Sequence, residues 1–133
     1  MTSVRFRVDL NAECSLGPGK IQLLERIERT GSLRQAATSL SMSYRRAWLL
    51  LDEINQAFTE RATRATVGGV GGGGVVLTKF GTELIERYRS AARQIDAVVQ
   101  SEFANMAHKA RPETARQKSK VPRKRMTRSE RRA

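Results

Sequence analysis

Hydrophobic and polar positions alternate from the start of the chain, where Val4, Phe6, Val8 and Leu10 fall between Arg5, Arg7, Asp9 and Asn11. A period of two predicts a strand with one face buried. Gly17-Pro18-Gly19 ends it, and Pro18 suits the first turn of a helix, where a missing N–H is no loss. The period then changes. Ile21, Leu24 and Ile27, with Leu23 alongside, make one apolar face of a helix that stops at Thr30-Gly31, with Gly31 as the left-handed terminus. Ser32 opens a second helix, with Gln35 at the spacing of a capping box. Its Ala36, Ala37 and Leu40 suit close packing against another helix. Ser41-Met42-Ser43 forms the turn, and Ser43 is the expected N-cap of a third helix whose inward stripe is Ala47, Leu50, Leu51, Ile54 and Phe58. Tyr44, Arg45, Arg46, Trp48, Leu49 and Asp52 remain for its other surface. Trp48 lies beside Ala47 and Leu51 on the helical wheel, so it can also be read as core.

Two short strand candidates, Arg64-Ala65-Thr66-Val67 and Val75-Val76-Leu77, flank a run of glycines from Gly68 to Gly74 interrupted by Val70. They predict a hairpin that joins the amino-terminal strand in a three-stranded antiparallel sheet. Thr78 caps a long last helix with the stripe Ile85, Tyr88, Ala92, Ile95, Val99 and Met106, and Phe103 nearby. About 28 residues at ~1.5 Å each reach on the order of 40 Å. That exceeds what so small a domain can cover, so the seam predicts a homodimer through this helix. Packing of the helix across its own domain is the other reading.

Charge adds a tail to this plan. The 133 residues hold 25 Lys and Arg against 13 Asp and Glu, a net charge of +12. Eleven of those bases and two of those acids fall from Lys109 onward, which leaves the first 108 residues at +3. Few large apolar residues follow Pro112, and like charges repel, so the expectation is one domain over 1–108 and a basic, disordered tail over 109–133. A strongly basic chain favours a polyanion as partner, nucleic acid first and an anionic membrane surface second. The tail itself can contact phosphates, bind RNA or stay solvated.

Other chemistry finds little support. Cys14 is the only cysteine and His108 the only histidine, so there is no zinc set and no disulfide framework, and a reducing compartment fits. No apolar run is long enough to span a membrane and the start lacks a signal-peptide core, so a cytoplasmic location without membrane contact is expected. Gly69-Val70-Gly71-Gly72-Gly73-Gly74 satisfies G-x-G-x-x-G. A dinucleotide site needs a helix directly after that loop, and strand residues follow instead. Asp52 and Glu53 are adjacent on a helix and diverge. The chain is expected to be no enzyme and to need no cofactor or metal.

Small residues on the second helix, a three-residue turn and an apolar stripe on the third meet the packing needs of a helix-turn-helix. With a thin ribbon after it, this is a shape that fits DNA. Arg45 and Arg46 gain nothing from the dipole at the start of a helix, yet suit one whose amino end points at bases and phosphates. Tyr44 and Trp48 offer apolar contact to a thymine methyl or to sugar. The residues expected at the DNA surface are Ser32, Arg34, Ser43, Tyr44, Arg45, Arg46, Trp48, Arg64, Gly69, Gly71, Gly72 and Lys79. An architectural or RNA-binding basic protein, and a winged-helix module that holds a protein partner, are the alternatives.

Gly31-Ser32-Leu33 to Leu40, Ser43-Tyr44-Arg45-Arg46-Ala47-Trp48, Glu53-Ile54-Asn55 and the glycine hairpin through Val75-Val76-Leu77-Thr78-Lys79-Phe80-Gly81 together resemble the amino-terminal domain of ModE-type, molybdate-responsive transcriptional regulators. The LysR-type winged helix is the wider relative, and the match runs from about Val4 to Met106. The resemblance implies a mainly α fold with a small antiparallel sheet: a winged helix-turn-helix with a long carboxy-terminal dimerisation helix, about 79–108. It also implies that Ser43, Tyr44, Arg45 and Trp48 meet DNA, with Gly68 to Gly74 as the wing. Regulators of this type continue into molybdate-binding domains, whereas this chain continues into a basic tail, so molybdate binding is not expected in it. Val70 stands where the hairpin is often basic, which argues against a phosphate contact at the wing tip, and Arg46 and Leu49 stand where small and polar residues are common, which implies a different target site.

Overall fold

A computed structural model describes residues 3–67 and 73–112. The order is β1 (Val8–Asn11), β2 (Cys14–Leu16), α1 (Pro18–Thr30), α2 (Leu33–Ser39), α3 (Tyr44–Ala57), β3 (Thr63–Thr66), β4 (Gly74–Leu77) and α4 (Lys79–Phe103), then a 3-10 turn at Ala107–Lys109. Mainly helical, with a small antiparallel wing and a long last helix, this is the winged helix-turn-helix architecture.

Each α-helix begins on local chemistry, and α1 also ends on it. Pro18 sits in the first turn of α1, and Gly31 closes that helix at φ 68°, its N–H donating to the Ile27 carbonyl. The Oγ atoms of Ser32, Ser43 and Thr78 accept from the N–H groups of Gln35, Arg46 and Gly81 at 3.2, 3.1 and 3.1 Å. Each bond satisfies a donor that a helix start leaves open. Between α2 and α3 the chain turns through Ser41, which adopts a left-handed φ of 55°.

The core lies where α1, α2 and α3 meet. Leu23, Leu24, Ile27, Ala36, Ala37, Ala47, Leu51, Ile54 and Ala62 are buried together, and Val75, Leu77, Phe80, Leu84 and Ile85 pack against them. The small side chains of Ala36 and Ala37 let α2 come close to both neighbours.

The sheet differs from expectation. The described strands form two separate hairpins, β1–β2 and β3–β4, and not one three-stranded sheet. The amino-terminal strand is also shorter than its alternation suggests. A turn at Ala12-Glu13 folds Val8–Asn11 back onto Cys14–Leu16, placing Cys14 within a strand. Val8 and Leu10 remain exposed, while Phe6, ahead of the strand, is taken up by α4.

That capture decides the fate of Tyr88. Its ring stacks on Phe6 at 4.4 Å between centroids, and its hydroxyl donates to the Phe6 carbonyl at 2.7 Å. Tyr88 is only 5% exposed. Although expected in the dimer seam, it is therefore filled from within its own chain. The next residue, Arg89, forms a two-pronged ion pair with Glu25 of α1, with Nε at 3.0 Å from Oε2. α4 ends at Phe103, and Met106 lies past it in a turn whose N–H bonds back to the Phe103 carbonyl. The helix is thus 25 residues, about 37 Å, shorter than the 79–108 span expected.

Burial raises the Tyr88 hydroxyl above the ordinary tyrosine range, and the Arg89 charge beside it opposes that only in part. A raised acid pKa keeps its full stabilising contribution below the unfolded value near 10 and loses it as pH rises through the folded one. Stability of the wild type should therefore fall above about pH 10. Urea midpoints between pH 8 and 11 should show this slope, and Tyr88→Phe should flatten it.

Candidate nucleic-acid interface

α3 divides its residues between two environments. Ala47, Leu51, Ile54 and Asn55 are buried on one side. On the other, Tyr44, Trp48 and Leu49 are 46%, 50% and 46% exposed, and Arg45 and Arg46 are exposed with them. Trp48 is therefore surface and not core. No acidic residue occurs between Tyr44 and Leu51, so the first two turns of the helix carry aromatic, aliphatic and guanidinium groups alone.

The wing stands beside this face. β3 and β4 pair antiparallel in the register Thr63↔Leu77, Arg64↔Val76, Ala65↔Val75 and Thr66↔Gly74. Two polar clamps set its position. Asn55, near the end of α3, is buried; its Oδ1 accepts from the N–H groups of Ala62 and Thr63 at 2.8 and 3.3 Å. Its Nδ2 donates to Thr63 Oγ1 at 3.0 Å. At the other strand, the Val75 N–H donates to the Gly31 carbonyl at 3.0 Å. A Cβ on Gly74 would lie 2.8 Å from that same carbonyl oxygen, so the approach needs glycine.

Between α2, α3 and the wing lies an open cleft of about 480 Å³. Ser32, Arg34, Tyr44 and Trp48 line one side; Arg61, Thr63, Ala65, Gly73 and Gly74 line the other. Arg34 lies over the Tyr44 ring at 4.9 Å from its centroid, a cation–π contact that holds a guanidinium at the entrance. The Ser32 and Ser43 oxygens accept capping bonds, which leaves each hydroxyl hydrogen free to donate outward.

The residues singled out in the sequence thus fall into groups. Ser32, Arg34, Tyr44 and Trp48 meet in the cleft, and Arg45 joins Tyr44, Trp48 and Leu49 in an adjoining depression. Arg46 is exposed on the same helix, and Arg64 is exposed on β3. Lys79 is set apart, in a separate hollow with Glu60, Arg61 and Glu83. Gly69, Gly71 and Gly72 lie outside the described residues, as does the basic tail beyond Pro112.

Arg61 and Leu49 were missed. Arg61 precedes a strand by two residues and carries no periodic signal. Leu49 was read as surface and as a departure from the family pattern that bears on the target site, but not as a DNA-contacting residue.

Among the described residues no group of histidine, cysteine or carboxylate side chains could hold a metal ion, and no helix is long and apolar enough to cross a membrane.

No protein-family model matches the chain. Among curated proteins it is 35% identical over 94 residues to the molybdenum transport protein ModE of Azotobacter vinelandii, covering 68% of this chain and 35% of that protein. It is 41% identical over 71 residues to the DNA-binding transcriptional dual regulator ModE of Escherichia coli, covering 53% and 27%. A third relative, the molybdenum-pterin-binding protein MopB of Rhodobacter capsulatus, is 38% identical over 73 residues, covering 55% and 27%. The chain spans about a third or less of the length of these relatives. With this similarity borne by a winged helix-turn-helix, the chain carries a ModE-type domain.

Proposed function

We propose that the protein is a DNA-binding transcriptional regulator that sets α3 into the major groove and lays the wing along the adjacent backbone. One observation carries this reading. The exposed side of the second helix of a helix-turn-helix presents Tyr44, Arg45, Arg46 and Trp48 to solvent, Arg34 and Arg61 line the cleft beside it, and no acid stands on the exposed start of the helix. A cationic surface with flat aromatic groups fits a duplex better than it fits a small metabolite. The Escherichia coli relative, which bears the name of a DNA-binding transcriptional regulator, supports the same direction.

Arg45 is the residue chosen to fork onto a guanine edge. Arg45→Ala should then weaken binding to the preferred duplex by about 1–3 kcal/mol and relax selection at one base pair. Fluorescence anisotropy against a panel of single-base variants measures both. Equal weakening on every sequence would make Arg45 a phosphate anchor. Unchanged binding on all of them would remove Arg45 from the interface.

The domain acts as a homodimer in this reading. With Tyr88 filled by Phe6 and Ile85 turned partly onto the core, Ala92, Ile95 and Val99 are what α4 has left for a second copy. Val98, Phe103 and Met106 extend that surface and are exposed. Two α3 helices would then enter successive major grooves about 34 Å apart. Sedimentation of the wild type should give a dimer, and Ile95→Asp should give a folded monomer with weaker binding to a two-site duplex. A monomeric wild type would count against the arrangement. In this proposal residues 1–108 are the domain and 109–133 a basic extension that adds phosphate contacts.

A further inference from the structure

We propose that the outer face of α3 reads the 5-methyl groups of thymine, with Leu49 as a specificity-determining residue beside Trp48. This rests on the DNA-binding reading above and names what that face selects. Arg45, Trp48 and Leu49 stand at i, i+3 and i+4, so they share one face of the helix, with Tyr44 a turn before Trp48. The four line a single shallow depression. Leu49 takes no part in the core, and 46% of it is open to solvent.

One exposed leucine needs no explanation, but three adjoining large apolar side chains are a patch. This patch lies among guanidinium groups: Arg45 within it, Arg46 next along the helix, and Arg34 over the Tyr44 ring. An apolar protein partner would meet those charges without compensation. A duplex supplies phosphates for the charges and, on the floor of the major groove, one apolar group for the carbon surface, the thymine methyl. The patch and its rim thus match a single kind of occupant, a T-containing major groove.

Replacing thymine with deoxyuridine removes the methyl and leaves every base-pair hydrogen bond in place. The full chain is used to select a preferred duplex from a random pool, and each thymine of the winner is then exchanged in turn. At one or two positions per half-site, affinity should fall by about fourfold per methyl, the worth of one buried methyl-sized group. Leu49→Ala should bind the thymine duplex about as weakly as wild type binds the uracil duplex, and should lose the uracil penalty at its own position. Circular dichroism checks that this variant is folded, as expected for a surface position.

A selected duplex that tolerates uracil everywhere would overturn the methyl reading while leaving sequence-specific binding intact. So would a uracil penalty that persists undiminished in Leu49→Ala together with the tryptophan variant Trp48→Ala. Failure to select any duplex over random competitor would sink the DNA-binding reading and this inference together, and would leave the patch to a protein partner.

Discussion

Gly81→Ala should destabilise the protein by about 3 kcal/mol, a drop of more than about 10 °C in Tm. The sign is opposite to the usual one, because alanine in place of a helical glycine ordinarily adds up to about 1 kcal/mol. Here the first turn of α4 is pressed against the chain entering β3. A Cβ on Gly81 would come within 2.1 Å of the Ala62 carbonyl oxygen and 3.0 Å of its carbon. Those atoms are backbone, so no side-chain rotation relieves the overlap. The same carbonyl already accepts from the Thr78 N–H at 2.9 Å, while Thr78 Oγ1 accepts from Gly81 N–H and its own hydroxyl donates to the Arg61 carbonyl at 2.6 Å. Displacing one partner therefore disturbs all of them. Thermal and urea unfolding of the variant are the measurements, and Ala62→Gly should fail to rescue it. A neutral or stabilising result would mean that α4 does not approach β3 this closely.

Asn55→Ala is expected to cost about 2–4 kcal/mol. Its side chain makes three hydrogen bonds in a buried setting, and truncation leaves the N–H groups of Ala62 and Thr63 without an acceptor. Each such orphaned donor costs about 1–3 kcal/mol. Asn55→Asp separates the causes, because a carboxylate retains both acceptors and the Thr63 hydroxyl can turn to donate to it. Hydrogen exchange at residues 62 and 63 should quicken sharply in the alanine variant, showing the wing loosened from α3. Loss of less than about 1 kcal/mol with unchanged exchange would show that water takes over the role of the amide.

Most of the helical plan was legible because its signals are local. Ser32, Ser43 and Thr78 stand one residue ahead of their helices, Pro18 stands inside the first turn of α1, and Gly31 follows its last. The inward stripe of α3 needed only a count of 3.6. What escaped is set by contacts far apart in the chain. Val4 to Leu10 alternate over seven residues, yet the strand keeps only the part that β2 can pair, while Phe6 is drawn 82 positions away to Tyr88. Tyr88 was ambiguous for the same reason: one stripe can face the same chain or another copy. Asn55 and Gly81 stood in segments that carry the family resemblance, but their buried roles gave no signal, since a polar residue or a glycine in a helical pattern reads as surface or as a weak spot. On the candidate interface, the exposed set of α3 followed from subtraction of its core stripe. Arg61 did not, because only the turn before β3 brings it round to the cleft.

Phe6 also governs how the molecule can be handled. The residues before β1 serve as a lid on the Tyr88 ring, held by the stack and a carbonyl. Trimming the gene to begin at Val8 would strip that lid and bare an aromatic face halfway down the longest helix. The shortened protein would then be prone to clump, and such clumping could be mistaken for natural self-association. Tags and truncations belong after the last helix, with the first seven residues left as they are.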